Sequence, residues 1–76
     1  MNLVQLAETM EQVARVHLER SPDQAFRMDG TINWGYIELQ MFRDPRVHAD
    51  VIDLDGATWY RLIHSFAPQL EEEYAK

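Results

Sequence analysis

Leu3, Leu6, Ala7, Met10, Val13, Ala14 and His17 recur at the three- and four-residue intervals of one helical face, with Val16 and Leu18 flanking it. Most of a helix's stability in a protein comes from burying such a face, so the remainder of the chain has to fold over this stripe. Asn2 stands where an N-cap belongs. At the other end Ser21 followed by Pro22 closes the helix and serves as cap and first position of a short second helix through "DQAFRM". The two helices meet in a tight corner. A chain of 76 residues has room for one domain spanning 1–76, and 46% hydrophobic residues with 11% aromatics suit a globule better than a disordered chain.

The middle third reads two ways. In "MDGTINWGYIELQMFRDP", Ile37, Leu39 and Met41 alternate as in a strand, while Trp34, Ile37, Met41 and Leu39 also fit a helix. Asp29-Gly30 is a turn in either case. The helix reading makes Thr31 the cap and tolerates Gly35 at about 1 kcal/mol relative to alanine. Asp44-Pro45 then opens another helix, with Val47, Val51 and Leu54 on its inner face. The strand reading turns "RDPR" into the bend of a hairpin around residues 36–54.

Trp59, Leu62, Ile63, Phe66, Leu70 and Tyr74 form a last helical stripe. Pro68 inside it removes a backbone donor and should kink or divide the helix between His64 and Ala67. The expected fold is all-α, a bundle of four to five short helices. The alternative is α+β, with the hairpin packed on the terminal helices.

The net charge of −6 is unevenly spread. Residues 44–76 hold seven acids against three bases, which places most of the excess in the C-terminal part. Such a field repels phosphate backbones and anionic membranes and favours encounter with a basic protein surface. The arginines are dispersed among acids, so direct nucleic-acid binding is not expected. The chain has no cysteine, no leader-like start and no apolar run of the roughly 20 residues that span a bilayer. These features lead to the expectation of a cytoplasmic protein, without a membrane partner.

"VIDLDG" resembles the middle of a calcium loop, with Asp53, Asp55 and Gly56 in register. The first ligand position then falls on Val51 and the bidentate position on Leu62, neither of which supplies an oxygen from its side chain. Asp55 is better read as the cap of the Trp59 helix, where its charge also suits the helix dipole. His17, His48 and His64 are not spaced to share a metal, and His17 lies on an apolar face as an edge-of-core residue. His64 beside Ser65 has no nucleophile elbow and no orienting acid. Gly30, Gly35 and Gly56 are isolated and form no phosphate cradle. No enzyme activity and no cofactor are expected.

What remains is an acidic constellation: Asp50, Asp53 and Asp55 near one helix junction, and Glu71, Glu72 and Glu73 near the end. Carboxylates on a rigid helical scaffold can take the places that phosphates hold in a groove of lysines and arginines. The tryptophans, the tyrosines, Met28 and Met41 are numerous for so small a core, which points to some of them as exposed contacts. In size, acidity and lack of cysteine the chain is similar to many small proteins of phages and mobile elements, anti-CRISPR inhibitors among them. That likeness is of general character and assigns no positions.

The expected function is therefore non-enzymatic: an acidic inhibitor that mimics nucleic acid and occupies a basic surface of a nucleic-acid-handling protein. If phage-encoded, it would act in the host cytoplasm. Reversing Glu71 to Glu73 to lysine should then lower affinity and leave the fold intact. The alternative is a small accessory subunit that forms a homodimer, or docks on a larger assembly, through Leu3, Leu6, Met10 and Val13.

Overall fold

The computed structural model describes residues 2–74. Asn2 opens α1 (Leu3–Arg20) by accepting hydrogen bonds from the amides of Val4 and Gln5 at 3.0 and 3.3 Å. Along α1 the stripe divides. Leu6, Met10, Val13, Ala14 and Leu18 are buried, whereas Leu3 at its start stays 45% exposed.

The corner after α1 follows from Pro22. The helix α2 (Pro22–Ala25) is a single turn, and the Ser21 carbonyl, not its hydroxyl, accepts from the amides of Gln24 and Ala25. It stops short of the expected "DQAFRM" because Phe26 takes an extended conformation and forms an antiparallel bridge with Ile32. Between them the chain reverses at Gly30, whose φ of 89° lies where residues with a Cβ are strained.

Thr31 belongs to this reversal and not to the following helix. Its amide and hydroxyl both donate to Asp29 Oδ1, at 3.0 and 2.6 Å. The cap of α3 (Trp34–Arg43) is Asn33, whose side chain accepts from the Tyr36 amide. The expectation of Thr31 as cap fails because the short Asp29 side chain captures Thr31 first.

The hairpin alternative for 36–54 is not formed. Ile37 and Met41, one helical turn apart, are both fully buried, while Leu39 between them is half exposed. That is a period of four, not two. Asp44 then serves two helices at once. Its amide donates to the carbonyls of Gln40 and Met41, ending α3, and its side chain accepts from the Arg46 amide at 2.9 Å, starting α4 (Pro45–Val51). Val47 and Val51 are the buried face of α4.

Asp55 caps α5 (Gly56–His64) through the Thr58 amide at 2.7 Å. The last stripe is divided as Pro68 requires. α5 ends at His64, and α6 (Ala67–Glu73) begins with Pro68 as its second residue, where a missing N–H costs nothing.

The described residues thus form an all-α arrangement of five helices of seven residues or more, with the single turn of α2 between the first two long ones. α1 is the axis, packed against α2, α3, α4 and α5, and α6 closes on α5. The shared core joins Met10 and Val13 of α1 to Ile37 and Met41, Val47 and Val51, Leu62 and Ile63, Phe66 and Leu70. Every buried residue among those described is apolar. Its exclusion of polar groups avoids the cost of buried unsatisfied donors and acceptors. No described helix is long and apolar enough to cross a membrane.

Candidate functional site

The six acidic residues singled out from the sequence have different surroundings. Asp55 is engaged as a cap, and hydrogen bonds from the Thr58 side chain and amide hold its carboxyl below the usual range. Glu73 is engaged more strongly. The Arg15 guanidinium of α1 donates to both of its carboxylate oxygens, and Gln69 donates to Oε1 at 3.2 Å. The Arg15 bonds, followed by the Gln69 bond, lower the Glu73 pKa, and the same pair raises that of Arg15. Arg15 also pairs with Glu11 one turn earlier at 3.0 Å, and Tyr74 donates its hydroxyl to Glu19 at 3.1 Å. Glu73 and Tyr74 therefore fasten the end of the chain to α1.

Asp50, Asp53, Glu71 and Glu72 differ from these. All four are exposed, and among the described residues none of their side chains is held by a hydrogen bond or an ion pair. Asp50 lies in the last turn of α4, Asp53 in the link to α5, and Glu71 and Glu72 in the middle of α6. Asp44, by contrast, pairs with Arg46 at 3.1 Å, and hydrogen bonding from Arg46 depresses the Asp44 carboxyl. Among the described residues no cluster of three or more histidine, aspartate or glutamate side chains is placed to hold a metal ion.

Exposed apolar groups accompany the acids. Ile52, 59% exposed, stands between Asp50 and Asp53 in the chain. Phe42, 41% exposed, meets Trp59 edge-to-face at 6.1 Å and His48 at 5.0 Å. The His48 Nδ1–H donates to the Phe42 carbonyl oxygen, at 3.1 Å. Met28 and Met41 separate: Met41 is wholly buried, and Met28 stands fully in solvent on the Gly30 turn. His17 takes its expected place at the edge of the core, edge-on to Tyr36 at 6.0 Å.

Surface depressions lie among the described residues. One, of about 340 Å³, lies between the start of α1 and the α5–α6 bend, with Leu3, Val4, Ala7, Leu62 and Phe66 in its wall and Glu8 at its edge. The other, of about 230 Å³, lies among α3, α5 and α6 and contains Glu71 together with Glu38. None of the three aspartates lines it. Sequence spacing had singled out Glu71 but not Glu38, because a lone glutamate in a helix carries no sign of which helix its face will meet.

No known family, no curated protein and no solved structure matches this chain.

Proposed function

We propose that the protein is a non-catalytic inhibitor that binds a basic surface of a nucleic-acid-handling protein and blocks its access to DNA or RNA. The observation that carries this reading is the set of four exposed carboxylates in the C-terminal part, Asp50, Asp53, Glu71 and Glu72, that no cation among the described residues neutralises. A groove of lysines and arginines built for phosphates attracts such fixed anions by the same charge-assisted hydrogen bonds. Ile52 beside the aspartates, and the Phe42 ring, supply apolar contacts of the kind that hold an interface once charge has brought the partners together. A phage-encoded inhibitor of a host defence complex, of the anti-CRISPR kind and acting in the host cytoplasm, is the setting this reading suits.

The test is a titration of affinity against salt, using the partner recovered from the cell in which the protein acts. The logarithm of the binding constant should fall steadily as salt rises. An affinity indifferent to salt would remove the electrostatic mechanism.

A second reading, an accessory subunit that docks or dimerises through an apolar helix face, draws support from the groove beside Leu3 and Val4. Leu6, Met10 and Val13 serve the protein's own core, so the face left for a partner narrows to Leu3, Val4 and Ala7. A mass measurement in solution separates the two. A stable dimer that Val4→Asp splits favours the subunit, and a monomer in both forms favours the inhibitor.

A further inference from the structure

The smaller depression is assembled from three helices, each contributing residues one turn apart. Trp34 and Glu38 come from α3, Tyr60 and His64 from α5, and Ala67 and Glu71 from α6. Positions i and i+4 share a helical face, so each pair is directed to the same side of its helix. Buried Ile63 and Ala67 give the cleft an apolar base. Trp34 is half-buried and packed against Phe66, with ring centroids 6.5 Å apart, which holds the indole in place. Tyr60 is 53% exposed, and its hydroxyl has no hydrogen bond among the described residues. Two carboxylates, Glu38 and Glu71, border the cleft, and among the described residues neither has an ion-pair partner and no lysine or arginine lines it.

Aromatic rings and carboxylates without an ion pair around one small cavity suit a cation that is flat and weakly hydrated. At about 230 Å³ the cleft is below the roughly 300 Å³ at which pockets for whole small ligands begin, and is suited to a single side chain. Guanidinium fits better than ammonium, because its plane stacks on an indole or phenol ring while its edge donates to carboxylates. A compact, strongly hydrated ammonium gains less from both.

We infer that the cleft bounded by Trp34, Tyr60, Glu38 and Glu71 is the receptor for one arginine side chain of the partner protein. This rests on the reading of the partner as a protein with a basic surface, and it assigns to that surface one protruding arginine. The exposed carboxylates of Asp50 and Asp53 and this cleft then differ in kind: the former attract charge in general, the latter selects one side chain.

The test uses the intact protein without its partner. N-acetyl-L-arginine amide is titrated at fixed ionic strength, and its neutral citrulline counterpart serves as the comparison of equal shape. The signals followed are the Trp34 indole N–H and the Tyr60 ring, with the Trp59 indole as internal reference. The arginine compound should shift Trp34 and Tyr60 along a saturating curve and leave Trp59 in place, and citrulline should not. Glu38→Gln with Glu71→Gln, both surface changes, should weaken the response by roughly three- to ten-fold. Equal shifts from citrulline, no saturating shift, or an unchanged response in the double variant would overturn the assignment. Since no partner takes part, failure here is separate from failure of the salt titration, which tests the inhibitor reading itself.

Discussion

The Arg15 guanidinium grips both carboxylate oxygens of Glu73 from a position 58 residues earlier in the chain. The pair ties α6, which packs mainly on α5, to the central helix. It also removes one negative charge from the acidic C-terminal segment and gives it a structural task. Replacing Glu73 with alanine should therefore loosen the end of the chain. Amide hydrogen exchange should quicken across α6 while α1 and α3 keep their protection. The accompanying fall in melting temperature should be small, since ion pairs this exposed contribute little.

The same carboxylates set the acid limit. Glu73, Asp44, Asp29 and Asp55 are all held below their ordinary pKa by hydrogen bonds present only in the fold. A carboxyl depressed in the folded state contributes stability that is complete above its unfolded value, near about pH 4, and is lost as pH falls through the folded value. Melting temperature should thus decline only below that range. Glu73→Gln should make the decline shallower, which a pH series of thermal melts would reveal.

Met10 is fully enclosed where α1 meets the other helices. Met10→Ala should cost about 2–5 kcal/mol through lost burial and the cavity left behind. A domain of 76 residues typically has only about 4–11 kcal/mol of stability, so this change takes away much of it. Chemical denaturation should place the midpoint far below that of the parent.

Gly35 offers a change in the other direction. A Cβ added there meets only Asn33 Oδ1 at 3.6 Å, an ordinary contact. Since Gly35 lies within α3, alanine should stabilise the protein by about 0.5–1 kcal/mol. The denaturation midpoint should rise with an unchanged slope.

Much of the helical frame was legible because its signals are local. The Asn2, Asp44 and Asp55 caps, the regular stripe from Leu3 to His17, and the break at Pro68 each depend on residues within a turn or two of one another. The middle third was ambiguous for a physical reason: Ile37, Leu39 and Met41 satisfy both periods until Leu39 is known to face solvent. Asn33 was missed as a cap because Thr31 is an equally good candidate unless Asp29 is seen to capture it. The acidic residues were visible as a group, but their division was not. Whether Glu73 meets Arg15, or Glu71 shares a cleft with Glu38, depends on which helix faces pack together, and local spacing does not encode that.

This division changes which residues can test the proposed function. Reversing Glu73 would disturb the Arg15 pair, and reversing Asp55 would disturb a cap, so neither separates binding from folding. Asp50, Asp53, Glu71 and Glu72 can be reversed without breaking a side-chain hydrogen bond or ion pair among the described residues. The most direct measurement is displacement of labelled nucleic acid from the partner by the parent protein and by the variant carrying Asp50→Lys, Asp53→Lys, Glu71→Lys and Glu72→Lys. The parent should release the nucleic acid, and the equally well-folded variant should leave it bound. Release by both, or a parent that binds its partner while the nucleic acid stays in place, would contradict inhibition by occupation of the phosphate-binding surface.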